Sequence, residues 1–179
     1  METEIEKRYK AARVKIAKES GDVNILSVPR ILKVVINSGT GRGDKDPTLQ
    51  EDVYKILEKI SGQKPVLRKA KKSISNFSVR EGMPVGVSVT LRGKMMWIFL
   101  DKFVSLVLAR IRDFRGLNKK NIDGAGNLNI GITEHMIFLE IDPNEVQKGR
   151  GLQVTVVTDL CSTDDAYKLY KEIGFPFIE

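Results

Sequence analysis

The side chains that most often carry chemistry are sparse in this chain. His135 is the one histidine and Cys161 the one cysteine among 179 residues. A zinc site built from Cys and His needs three or four such ligands, and a disulfide needs two thiols, so the chain can supply neither by itself. A Ser-His-Asp arrangement would rest entirely on His135, and no nucleophile is convincingly placed to pair with it. Cys161 stands just before a helix start, but no Cys-x-x-Cys pattern or second histidine suggests a catalytic thiol. The acids Asp142, Glu145, Asp164 and Asp165 read as turn and cap residues rather than a metal-ligating cluster. The stretch GTGRGD at 39–44 is glycine-rich, but it has neither the G-x-G-x-x-G register nor the Gly-Lys-Ser/Thr ending of a phosphate loop. No enzyme, cofactor or metal site is expected from these residues.

The basic residues are another matter. The chain has a net charge of +7, and that total conceals a strong asymmetry. Residues 1–58 hold 11 basic and 10 acidic side chains, residues 59–120 hold 15 and 3, and residues 121–179 hold 4 and 10. The middle third therefore carries +12 and the last third −6. Such a concentration suits a phosphate backbone, because neutralising phosphates releases their counterions. Lys64, Arg68, Lys69, Lys71, Lys72 and Arg80, followed by Arg92 and Lys94, are the residues expected to meet phosphate. Asn37, Gln63 and Thr90 can add directional hydrogen bonds to bases, riboses or phosphates. Phe77 is the one evident stacking aromatic, so structured RNA is favoured over an unstructured strand. No helix-turn-helix, zinc finger or zipper basic region speaks for DNA.

The elements that must position these residues follow from periodicity. Residues 2–19 predict a charged helix with Ile5, Tyr9, Ala12 and Ile16 as its apolar stripe. ILKVVIN predicts a strand that puts Lys33 and Asn37 on one face and Leu32, Val34 and Ile36 on the other. Thr48 and Glu51 form a capping-box pattern ahead of a helix buried along Leu49, Val53, Ile56 and Ile60. Residues 61–84 predict a short strand anchored by Val66 and Leu67, leading into a long exposed basic loop or hairpin. VGVSVTLRG alternates strictly, with Val85, Val87, Val89 and Leu91 toward the core and Gly86, Ser88, Thr90 and Arg92 away from it. A long helix over 94–114 has Arg110, Arg112 and Arg115 at its end, where positive charge also suits the helix dipole. A glycine- and asparagine-rich stretch, a strand at HMIFLE, a strand at LQVTVVT and a last helix capped by Ser162 and Asp165 complete the chain.

With strands only half apolar, the expected fold is α+β: an antiparallel sheet with helices on one face and a polar face left open. The 41% hydrophobic and 30% charged composition suits a single globular domain over 1–179 with an extended basic loop at about 70–84. The most apolar run, MMWIFL, is too short to span a bilayer, and METEIEKRYK has no apolar signal region, so no membrane association and a cytoplasmic location are expected.

Several segments together resemble the family of the fifth protein of the large ribosomal subunit, in its bacterial form. They are VPRILKVVINSG, ISGQKPVLRKAKKSISNFSVREGMPVG, VTLRG, RIRDFRGL, GITEHMIFLEID, RGL and GFPF, in the family's order from about residue 5 to the end. The resemblance implies a structural ribosomal protein that binds 5S rRNA and joins it to 23S rRNA in the central protuberance. It implies a 5S rRNA surface on the open sheet face, with Asn37, Gln63, Thr90, Arg92, Lys33 and Lys64. Arg68, Lys69, Lys71, Lys72, Ser73, Asn76, Arg80, Arg112 and Arg115 are the expected rRNA and tRNA backbone contacts. The basic loop is similar to one that approaches P-site tRNA. The family also touches a small-subunit head protein across an intersubunit bridge, and neighbouring large-subunit proteins. The glycine- and charge-rich Gly39–Pro47 loop departs from the family pattern. A generic structured-RNA-binding protein or RNA chaperone is the alternative reading.

Overall fold

A computed structural model describes residues 2–19, 24–40, 47–142, 149–159 and 162–178. Cys161 and most of the Gly39–Pro47 loop lie outside them. The elements are α1 (Glu4–Glu19), β1 (Ile31–Gly39), α2 (Pro47–Ser61), β2 (Val66–Lys69), β3 (Pro84–Leu91), α3 (Gly93–Lys102), α4 (Leu108–Arg110), β4 (Leu128–Ile132), β5 (Leu152–Thr158) and α5 (Thr163–Ile173). The fold is α+β, with one antiparallel five-stranded sheet in the order β2-β3-β1-β5-β4 and helices packed on one face. The chain divides into two compact units: Met1–Val34, Arg92–Ile130 and Thr155–Glu179 form the first, and Val35–Leu91 and Gly131–Val154 the second.

In the first unit, α1 buries Ile5, Tyr9, Ala12 and Ile16, as its stripe requires, and packs against α3 and α5. The 94–114 periodicity becomes a helix that ends earlier than expected. α3 runs without a break into a π-helical turn, Phe103–Val107, then into α4, and Ile111 is already extended. Ile111 and Phe114 therefore leave the helical stripe, and Arg112 and Arg115 lie beyond any helix dipole. α5 starts as its sequence demands. The Ser162 hydroxyl accepts the Asp165 N–H at 3.1 Å and donates to the Asp165 carboxylate at 2.7 Å. Gly174, with φ of 110°, ends the helix in the left-handed conformation.

β4 forms within the glycine- and asparagine-rich stretch. LNIGI alternates, burying Leu128, Ile130 and Ile132. The turn before it is fixed by Asp123, whose carboxylate accepts the N–H groups of Ala125 and Asn127 at 2.9 and 2.8 Å. The Gly126 carbonyl in that turn accepts the hydroxyls of Thr158 at 2.9 Å and fully buried Tyr170 at 3.1 Å.

In the second unit, α2 packs on β3, burying Val53, Ile56, Leu57 and Ile60 against a strand whose Val87, Val89 and Leu91 point inward. HMIFLE is not a strand. His135–Ile137 is a 3₁₀ turn, and His135, Phe138 and Ile141 are buried at three-residue intervals, the period of that helix. His135 is fully buried, and its Nδ1 accepts the Arg150 N–H at 2.9 Å. That interior position makes it a structural residue.

Candidate nucleic-acid interface

β2 and β3 pair antiparallel with Val66 opposite Ser88 and Arg68 opposite Gly86. Directly opposed residues share a face, so Val66 and Arg68 lie with Gly86, Ser88 and Thr90 on the side away from Val87 and Val89. On β1, Val34, Ile36 and Ser38 are buried, and Asn37 is exposed between them. β1 neighbours β3 in the sheet, Thr40 donates its N–H to the Val85 carbonyl at 3.2 Å, and Gly86 stands against Ser38 and Gly39. A Cβ at Gly86 would come within 3.1 Å of the Ser38 carbonyl, so a larger side chain there would force this part of the face apart.

The polar groups of this face are held by short-range bonds. Gln63 Nε2 donates to the Thr90 main-chain carbonyl at 3.3 Å, which holds the Gln63 amide beside β3. Arg68 Nε donates to Ser88 Oγ at 2.6 Å. Ser88, which the alternation places on this face, is only 4% exposed, so the middle of β3 is buried on both sides and Ser88 serves to hold Arg68. Lys64 is exposed at the entry to β2. Val66 and Leu67, expected to anchor β2, are 55% and 44% exposed, because β2 is the sheet's edge strand and is held by its ladder to β3.

The basic segment after β2 is a hairpin. Ala70 N–H donates to Met83 O and Gly82 N–H to Ala70 O, at 2.7 and 3.0 Å, extending the ladder. Ile74 and Val79 then form an antiparallel bridge that closes on a 3₁₀ turn, Ser75–Phe77. Ser73 is used inside the hairpin, where its Oγ accepts the Glu81 N–H at 2.9 Å. Asn76 is exposed at the tip, and Lys69, Lys71, Lys72 and Arg80 are exposed along its length.

The remaining expected residues belong to the first unit. Lys33 is half-buried on β1, and Arg92 is exposed immediately before α3. Arg112 and Arg115 are exposed in the turn after α4, where Asp113 has a positive φ of 56°.

Some of the basic residues are ion-paired within the chain. On α1, Lys7, Lys10 and Lys15 pair with Glu4, with Glu2 and Glu6, and with Glu172 respectively. Hydrogen bonding to Glu2 holds the Lys10 amine above its ordinary range. Lys119 pairs with Asp164, and the hydrogen bond from Lys119 holds that carboxyl below the usual aspartate value. By contrast, Lys64, Arg68, Lys69, Lys71, Lys72 and Arg80 make no ion pair among the described residues. The same holds of Lys18, Lys94 and Lys120, so the hairpin set is marked by its density and not by lack of pairing alone. No group of three or more His, Cys, Asp or Glu that could hold a metal occurs among the described residues. No helix among them is long and apolar enough to cross a membrane.

An α+β sheet with helices on one face and a basic hairpin at its edge has the architecture of proteins that present a sheet to RNA. Residues 24–80 match the family described as ribosomal protein L5, and residues 84–177 match the model of that ribosomal family's C-terminus. The large ribosomal subunit protein uL5 of Thermus aquaticus is 48% identical over 171 residues, covering 96% of this chain and 94% of that protein. The corresponding protein of Halothermothrix orenii is 51% identical over 154 residues, 86% of each chain. That of Mesoplasma florum is 45% identical over 178 residues, 99% of each. The chain belongs to the uL5 family of large ribosomal subunit proteins.

Proposed function

We infer that this protein is a structural constituent of the large ribosomal subunit that binds 5S rRNA and 23S rRNA, and that it is not an enzyme. The observation that carries this reading, beside family membership, is the density of exposed basic residues from Lys64 to Arg80, none of which makes an ion pair among the described residues. Family membership favours the ribosomal role over a generic RNA chaperone.

The sheet face of the second unit is the 5S rRNA surface in this reading. Asn37, Gln63 and Thr90 supply hydrogen bonds there, and Lys64 and Arg68 contact phosphate. Lys33 and Arg92, on the first unit, are further 5S rRNA contacts, and Arg112 and Arg115 contact rRNA backbone. The hairpin, with Lys69, Lys71, Lys72, Ser73, Asn76 and Arg80, serves rRNA or P-site tRNA and links 5S rRNA to its surroundings in the central protuberance. The acidic last third suits protein neighbours, including a small-subunit head protein at an intersubunit bridge.

Titrating the full chain with 5S rRNA across a salt series tests the central claim. Affinity should fall steeply as salt rises, and 5S rRNA should be preferred over an unrelated RNA of equal length. A flat salt response, or equal affinity for both RNAs, would sink the reading.

A further inference from the structure

We propose that Phe77 is a stacking platform for an unpaired nucleotide of the RNA that the basic hairpin meets. The proposal rests on the RNA-binding reading above and adds the recognition chemistry of the hairpin tip. Phe77 is 62% exposed, and its ring makes no ring or cation contact among the described residues. The backbone holds it there. Its N–H donates to the Ile74 carbonyl at 3.3 Å, and the Ser78 N–H donates to Ser75 O at 2.9 Å. Ser78 completes the turn at φ 53° and ψ 35°, a left-handed conformation that a non-glycine residue adopts at a cost. Those hydrogen bonds hold a turn in which Phe77 is the most exposed large hydrophobic side chain, ahead of Ile74.

The surroundings choose the occupant. Lys71, Lys72 and Arg80 flank the tip without ion pairs among the described residues, a setting suited to a polyanion and unfavourable for an apolar protein groove. A single ring offers a face, and every base has a complementary π-face once it is unstacked from its neighbours. A fully paired A-form helix keeps its bases stacked and inaccessible to that ring. The predicted ligand is therefore an unpaired, accessible nucleobase flanked by phosphates.

Two RNA probes with equal phosphate number test this: a continuous duplex, and a hairpin closed by an unpaired apical loop. The parent should bind both in a salt-dependent way and favour the looped probe by about tenfold, within the range of one base–aromatic stack. Phe77→Tyr should keep that preference, and Phe77→Leu should lose it while binding the duplex as the parent does. In Phe77→Trp, emission beyond the Trp97 baseline should be quenched by the looped probe and not by the duplex. Retained preference in Phe77→Leu, or unquenched Phe77→Trp emission, would overturn the stacking while leaving RNA binding intact. A parent that binds 5S rRNA but neither probe would overturn the stacking alone, and one that binds none of the three would overturn both readings.

Discussion

Arg68 reaches diagonally across the β2–β3 ladder to Ser88, placing its Nε 2.6 Å from the Ser88 hydroxyl. The bond engages the inner edge of the guanidinium, and its other N–H groups make no hydrogen bond among the described residues. A guanidinium fixed at Nε is pre-organised to offer its terminal groups to phosphate, with less side-chain freedom left to lose. Ser88→Ala should cost about 0.5–1.5 kcal/mol in a urea melt and lower 5S rRNA affinity a few-fold by freeing the arginine. Arg68→Lys keeps the charge and should still lose affinity, because a lysine cannot combine this anchor with a fork. Arg68→Lys binding like the parent would reduce Arg68 to a point charge.

Asn37 and Thr90 are side chains of the open face whose removal leaves the core intact. Asn37→Ala removes an exposed amide, and Thr90→Val keeps a β-branched shape while deleting one hydroxyl. Each should weaken 5S rRNA binding by roughly fivefold or more, about one hydrogen bond's worth, with the thermal midpoint nearly unchanged. Unchanged affinity in both variants would move the 5S rRNA surface off this face.

Much of this face was legible because a strand's period is two. Val87, Val89 and Leu91 declare the buried side of β3, and Ser88 and Thr90 then have to lie on the other. α1 and α5 were legible in the same way, through the stripe of Ile5, Tyr9 and Ile16 and the cap at Ser162. The misreadings share a physical cause: local composition outweighed period. LNIGI alternates as clearly as β3, but it lies in a stretch characterised only by its asparagines and glycines. HMIFLE is rich in strand-forming residues, whereas the burial of His135, Phe138 and Ile141 follows a period of three. The end of the helix at Arg110 left no comparable trace, because Ile111 and Phe114 continue the apolar spacing past the point where the backbone extends. Nor does sequence reveal which cations are neutralised within the chain; the pairing of Lys119 with Asp164 depends on tertiary proximity.

Lys71 and Lys72 should act through charge more than shape. Each is exposed on the hairpin without an ion pair among the described residues. Replacing either with alanine should weaken binding to any RNA that the hairpin meets and reduce the slope of log affinity against log salt by about 1. A change in preference between RNAs with the slope unchanged would mean that these lysines read specific groups.

His135 is a load on the interior, and its replacement should register as stability. Nδ1 lies 2.9 Å from the Arg150 amide nitrogen and 3.1 Å from the Arg150 carbonyl oxygen, so the ring meets the Arg150 backbone through Nδ1 in either tautomer, and Nε2 is buried without a partner among the described residues. His135→Ala would leave a cavity and an unpaired backbone N–H at Arg150, together worth about 2–4 kcal/mol. RNA affinity of the folded fraction should match the parent. Parent-like stability with lost RNA binding would instead make His135 a contact residue.

Asp123 gives stability a dependence on acid. Burial acts to raise its carboxyl, and hydrogen bonds from the Asn127 side chain and from the backbone of Asn127 and Ala125 outweigh that, holding the group below the usual aspartate value. The unfolded chain then binds the proton at a higher pH than the folded chain does. The contribution of Asp123 is therefore complete above the ordinary aspartate range and is lost as pH falls through the lowered folded value. The turn it fixes presents the Gly126 carbonyl to Thr158 and Tyr170, so its loss should be felt in the first unit's core. Asp123→Ala should destabilise the protein by about 1 kcal/mol at neutral pH, a modest figure because the carboxylate is exposed. Urea melts of parent and variant at descending pH should show that gap closing in the acid range. A gap independent of pH would assign the role of Asp123 to turn shape rather than to its charge.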